Sequence, residues 1–235
     1  MKRTCLLTGA SGLLGTAFIE RCHDLYTIIA VHNRNPVQFA AQDQRFVDPL
    51  APTRLIAANE HPVHSIRADI CEPEAVDRVV TEVKAQFGNI DLLIHGAAIR
   101  AWAPVLTATG LDAAEAVLKT NVLAPLRLSV AVARLLWQSD CTGNQQHNRN
   151  IINISSSAGL FVYPDQGQAL YGISKAALNY STYHLANEFW DIGVRVNALA
   201  PDTFPGRVST AEVVDAILDL DASKQTGQII SLLGP

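Results

Sequence analysis

Thr8-Gly9-Ala10-Ser11-Gly12-Leu13-Leu14-Gly15 is the stretch on which the reading of this chain turns. It follows a short apolar run, Thr4–Thr8, and opens a segment with the apolar spacing of a helix. Glycines at such a junction let the main chain turn tightly and approach a pyrophosphate, which rests on the free N–H groups at the positive end of the helix. The spacing is GxxGxxG rather than the commoner GxGxxG. In isolation the stretch reads equally well as a plain tight turn. Its place between a first strand and a first helix points to dinucleotide binding.

The rest of the chain repeats that alternation. Strand candidates are Thr4–Thr8, Tyr26–Val31, Val63–Ala68, Asp91–His95, Asn150–Ser155, Val194–Ala200 and Gln228–Leu233, with amphipathic segments between them. Pro73 begins one helix, which carries Val76, Val79, Val80, Val83 and Phe87 on one face and ends at Gly88. Ser209-Thr210-Ala211-Glu212 is a capping box ahead of Val213, Val214, Ile217 and Leu218. Asn33–Pro62 and Gln138–Arg149 read as surface loops. The expected architecture is α/β: one doubly wound domain over residues 1–235, with a Rossmann-type parallel sheet of about seven strands and helices on both faces.

Composition narrows the function. The 235 residues are 49% hydrophobic and 17% charged, enough to bury a sizeable core. The net charge is −4 and there is no Lys/Arg run, so neither nucleic acid nor an anionic membrane surface is an expected partner. The apolar run after Met1-Lys2-Arg3 is too short for a signal sequence, and no stretch approaches the ~18 apolar residues of a membrane span. The 4 cysteines form no CxxC pair and read as reduced packing residues, which suits a cytoplasmic protein. His61 and His64 have HxxH spacing but flank Pro62 with no further ligand set, so a loop is expected there and no metal.

The end of the second strand bears on which dinucleotide binds. Val31-His32-Asn33-Arg34 offers no acid for an adenosine ribose 2′-hydroxyl, and Arg34 suits a 2′-phosphate. NADP (NADPH) is therefore favoured over NAD, although Arg34 taken singly also reads as a solvated loop residue. Further on, Tyr171-Gly172-Ile173-Ser174-Lys175 places a phenol and an ammonium on one helix face. A nearby cation favours phenolate, which would tune Tyr171 as a proton carrier. Upstream, the apolar strand Ile151–Ile154 ends in Ser155, Ser156 and Ser157, at the strand end where ligands bind in doubly wound sheets. A serine there can stabilise a developing oxyanion.

Together TGxxGxxG, His95-Gly96-Ala97-Ala98, an asparagine on the next helix, NISSSAG, YxxxK and VNALAP resemble the short-chain dehydrogenase/reductase family from Thr8 to about Gln228. The length is that of the family's compact members; the glycine spacing and HGAA are similar to its extended branch. The resemblance implies catalytic roles for Asn121, Ser156, Tyr171 and Lys175, with Ser155 and Ser157 as weaker candidates for the serine. It implies cofactor contacts from Gly9, Ser11, Gly12, Leu14 and Gly15, from Asp69 and Ile70 at the adenine, from Ala97 and Ala98 at a ribose, and from Tyr171, Lys175 and Thr203. Asp69 reads equally as a cap for the helix after Pro73. Pro125 supports the Asn121 role independently: it has no N–H for the Asn121 carbonyl, so the helix should break there and free a carbonyl for a water.

The implied activity is NADP(H)-dependent interconversion of a ketone or aldehyde with an alcohol, the substrate being a small molecule. Two other readings stay open: a nucleotide-binding sensor or regulator on the same fold, and a sugar-nucleotide epimerase or dehydratase. The 60 residues after Lys175 are few for the large substrate domain of the last class. Asp202 stands where the family has a glycine, and Pro201 to Ser209 leaves little room for a lid. Trp102 and Arg207 fall near the expected cleft. Family members commonly form homodimers or homotetramers through the helices starting near Leu111 and Tyr171, with Val117, Leu118 and Trp190 as candidate buried faces.

Overall fold

The computed structural model describes residues 2–39, 42–46, 62–164 and 166–234. In chain order the elements are β1 (Arg3–Thr8), α1 (Leu13–Cys22), β2 (Tyr26–His32), β3 (Gln42–Phe46), β4 (Val63–Arg67), α2 (Pro73–Phe87) and β5 (Leu92–His95). Then come α3 (Ala114–Leu118), α4 (Ala124–Val132), α5 (Cys141–Gln146), β6 (Asn150–Ile154), α6 (Ala169–Glu188), β7 (Arg195–Pro201), α7 (Thr210–Ala222) and β8 (Ile229–Leu232). The strands form one parallel sheet in the order β3-β4-β2-β1-β5-β6-β7-β8.

Every expected strand forms, with boundaries moved by a residue or two. The addition is β3, inside the segment expected to be a loop; Gln-Asp-Gln-Arg-Phe has no apolar alternation to mark it. It pairs only with β4, at the sheet's edge. His61 lies outside the described residues. The other expected loop, Gln138–Arg149, contains the short helix α5, started by Asp140, whose carboxylate accepts the Gly143 N–H at 3.1 Å. Pro73 occupies the first turn of α2 and Gly88 closes it with φ +77°. The capping box at Ser209 and Glu212 is complete.

Alternation along β1 divides the core. Leu6 joins Ile29, Ile66, Val76, Val80, Leu128 and Trp137 on one face of the sheet. Cys5 and Leu7 join Phe18, Ile28, Leu92, Val213 and Ile217 on the other. Helices α2 and α4 cover the first face, α1 and α7 the second. Below the sheet, the Asp221 carboxylate accepts from Arg3 Nη1 at 2.8 Å and from the Tyr26 hydroxyl at 2.7 Å, which ties α7 to the start of β1 and β2.

Residues Ala114–Trp137 run as one helix of 24 residues, interrupted by π turns at Lys119–Leu123 and Ala133–Trp137. By length and composition alone this helix is apolar enough to cross a bilayer, which corrects the expectation that no stretch approaches that size. Its apolar side is used in the core: Val117, Leu128, Val132 and Trp137 are all fully buried. Val117 is thereby removed from the expected subunit face, while Leu118 and Trp190 are 38% and 68% exposed.

Candidate active site

Strands β1 and β5 are neighbours whose connections leave in opposite directions, the arrangement that opens a crevice at the strand ends. Thr8 and His95 finish level with each other. The Thr8 hydroxyl ties the two ends together, accepting from the N–H groups of Gly96 at 3.2 Å and Ala97 at 3.3 Å. Gly9 then turns with φ +69°, and a β-carbon there would lie 2.6 Å from the Ala97 nitrogen. Only glycine permits that approach.

Above this junction lies a groove of about 570 Å³. It is lined by Gly9, Ser11 and Gly12 from the first turn, Arg34 after β2, Asp69 and Ile70 after β4, and Ala97 and Ala98 after β5. Eight of the residues expected at the dinucleotide thus meet in one place. The N-terminus of α1 opens here with no side-chain cap and no acid in its first turn, leaving N–H groups for an anion. These features fit a dinucleotide.

Two of the expected contacts have no side chain at the groove. The Leu14 side chain belongs to the core, 8% exposed, and Gly15 is pressed against Ala10, where a β-carbon would meet main chain at 2.6 Å. Both can serve the groove only through their N–H groups. Asp69 does not cap α2, whose N-cap is Glu72; its carboxylate accepts the Cys71 N–H at 3.0 Å. The groove also takes in Thr8, Asn33, Asn35 and Thr120. Of these Thr8 was legible, as the residue that joins the strand to the glycine turn.

A smaller cleft of about 170 Å³ lies at the ends of β6 and β7. Hydrogen bonding sorts its serines. The Ser155 hydroxyl donates to the Lys175 carbonyl at 3.3 Å, and the Ser157 hydroxyl donates to Asp202 Oδ1 at 3.4 Å. Ser156 is half-buried, accepts the Ala158 N–H at 3.2 Å, and turns its hydroxyl toward that of Tyr171. Lys175 lies below, 2% exposed, its Nζ 5.7 Å from the centre of the Tyr171 ring and donating to the Ile154 carbonyl at 2.7 Å.

The electrostatics differ from the sequence expectation. Burial raises the Tyr171 phenol above its ordinary value, opposed by the Ser156 hydrogen bond and the Arg100 cation. Burial and Arg100 together push Lys175 down to about 7. Arg100, which sequence reasoning missed, is thus a cation whose charge reaches the phenol.

Asn121 is fully buried, and the expected break in its helix takes the form of the π turn Lys119–Leu123, closed by the Ala124 N–H on the Lys119 carbonyl. Its side-chain amide accepts from Ile99 N at 2.8 Å and donates to Ile99 O at 2.9 Å and Ser174 Oγ at 3.0 Å. One residue thus fixes the strand-end loop against the tyrosine-bearing helix α6. Thr203 lines the substrate cleft rather than the groove, its N–H held by Asp202 Oδ1 at 2.7 Å.

His95, at the end of β5, is fully enclosed, and burial pushes it down to about 3. The ring is neutral, with Nε2 2.9 Å from the Ser129 hydroxyl. Among the described residues no group of His, Cys, Asp and Glu has the geometry of a metal site.

Comparison with known proteins identifies the family. A profile described as short chain dehydrogenase matches residues 3–217, and the chain belongs to the short-chain dehydrogenase/reductase family of nucleotide-binding oxidoreductases. Galactitol 2-dehydrogenase of Agrobacterium fabrum is 29% identical over 221 residues, spanning 91% of this chain and 74% of that protein. Sorbitol dehydrogenase of Cereibacter sphaeroides is 29% identical over 208 residues, 87% of this chain and 71% of its own. The solved 4-hydroxyisoleucine dehydrogenase, complexed with NADH and succinate, superposes with a TM-score of 0.75 at 25% identity, covering 98% of this chain and 97% of that one.

Proposed function

We propose that the protein interconverts a ketone or aldehyde with the corresponding alcohol, using NADP(H), with Tyr171 as general acid and base. The observation that carries this reading is the meeting of the Ser156 and Tyr171 hydroxyls in one cleft, directly above Lys175. Bound at the groove, the nicotinamide cofactor supplies or accepts the hydride. Gly9, Ser11, Gly12 and the N–H groups of Leu14 and Gly15 hold its pyrophosphate, Asp69, Ile70, Ala97 and Ala98 its adenosine half, and Arg34 the 2′-phosphate.

In the reducing direction the carbonyl carbon gains a hydride and the oxygen a proton. Ser156 donates a hydrogen bond to that oxygen as charge develops on it. Tyr171, kept protonated by its burial, delivers the proton. Lys175, lowered to about 7, can return a proton toward Tyr171 near neutral pH, and Asn121 holds the loop and helix between which this transfer runs. The exposed Leu118 and Trp190 belong to the same proposal as parts of a self-association face.

Loss of nicotinamide absorbance, followed across a carbonyl panel with both cofactors, tests the reading. NADPH is expected to be preferred, and Arg34→Glu to reverse the preference by about 10- to 100-fold, since one charge-assisted contact is lost and a like charge takes its place. An unchanged cofactor ratio would remove Arg34 from the 2′-phosphate site. Cofactor binding without turnover of any carbonyl would favour the sensor.

A further inference from the structure

The cleft beside Tyr171 holds an uncommitted positive charge. Arg100 and Arg207 both line it, together with Trp102, Gln166, Gln168 and Phe204. Arg207 is 3.5 Å from Asp202 Oδ2, which balances its charge. Asp202 is itself engaged, its other oxygen taken by Ser157 and the Thr203 N–H. Arg100 has neither an ion pair nor a hydrogen bond among the described residues, and it is exposed. The backbone that carries it is anchored: Ile99, the residue before it, has both its N–H and its carbonyl on the Asn121 amide. Arg100 lines the same cleft as Ser156 and Tyr171, and its charge reaches both Tyr171 and Lys175.

From this arrangement we infer that the substrate is a monocarboxylate, a keto acid or hydroxy acid, whose carboxylate pairs with Arg100 while its carbonyl or hydroxyl oxygen meets Ser156 and Tyr171. The inference rests on the reductase reading of the same site. A planar guanidinium fork matches a carboxylate in two-point geometry. Among the described residues the cleft walls carry two guanidiniums and one carboxylate, a net charge that matches one negative group.

The test compares keto acids, with one to four carbons between the two functions, against their methyl esters. In the wild type kcat/KM should favour the acid by about 10- to 100-fold, the range of one charge-assisted contact. Arg100→Gln should bring the acid-to-ester ratio close to one, Arg100→Lys should restore part of it, and Arg207→Gln should change it less. Esters reduced as well as acids would overturn the inference and leave the reductase reading intact. A ratio governed by Arg207 would overturn the assignment to Arg100.

If the carbonyl panel is turned over but neither of these series is, the inference is overturned and the reductase reading stands; if no carbonyl at all is turned over, the reductase reading fails and binding decides separately. Glutarate monomethyl ester should quench the fluorescence of Trp102 while dimethyl glutarate does not, with Trp102→Phe identifying the signal and Arg100→Gln abolishing it. Equal quenching by the two compounds, or quenching that survives Arg100→Gln, overturns the inference.

Discussion

Tyr171→Phe is expected to lower turnover by about 10²- to 10⁴-fold, the contribution of a positioned proton donor, while leaving cofactor binding within a small factor. The expectation rests on geometry: the phenol oxygen shares the cleft with Ser156, and the phenyl ring that remains still covers Lys175. Stopped reaction measurements should show the loss in kcat rather than in KM, because the proton matters in the transition state and little in the ground state. Equal turnover in wild type and Tyr171→Phe would sink the mechanism. Loss of both folding and cofactor binding would make the residue a packing element instead.

Gly9→Ala should be the most damaging of the small substitutions, and Gly88→Ala is its matched control. Both glycines have positive φ, +69° and +77°, so each alanine carries backbone strain of about 1–3 kcal/mol. At Gly88 nothing lies within 4 Å of the added β-carbon, and strain is the whole effect. At Gly9 the β-carbon meets the Ala97 nitrogen at 2.6 Å and the Gly96 carbonyl carbon at 2.7 Å, main-chain atoms that move only if β1 and β5 part. Overpacking of that kind adds about 1–3 kcal/mol more. Chemical denaturation should therefore rank Gly9→Ala well below Gly88→Ala, and only the former should lose nicotinamide binding. Equal losses at the two positions would mean that the junction yields.

Much of this was legible because the signals were local. The βα alternation, the Pro73 and Gly88 boundaries and the Ser209 capping box are each written in a few adjacent residues, and each forms as read. The strand β3 was hidden because its pairing depends on β4, far along the chain, and not on a pattern of its own. The same holds within the site. Ser156 stands out from its neighbours only once Ser155 and Ser157 are seen bonded elsewhere. Arg100 carries no motif; its importance comes from a fold that sets it beside Tyr171 and Lys175. Burial of Lys175, which lowers its pKa, is likewise a property of the packed structure.

The π turn at Lys119–Leu123 can be seen as a stored insertion. An α-helix advances about 100° and 1.5 Å per residue, and a π turn absorbs one residue beyond that rhythm. Deleting Val122 would let the helix close into regular α form, so the backbone has a ready way to tolerate a shorter chain there. Because the turn already absorbs that residue, the helical segments on either side would keep their phase; the cost would fall on the turn itself, carrying the Asn121 amide off Ile99 and Ser174. The fold could survive such a deletion while the cleft lost its register, so this turn is a place where length variation separates scaffold from site.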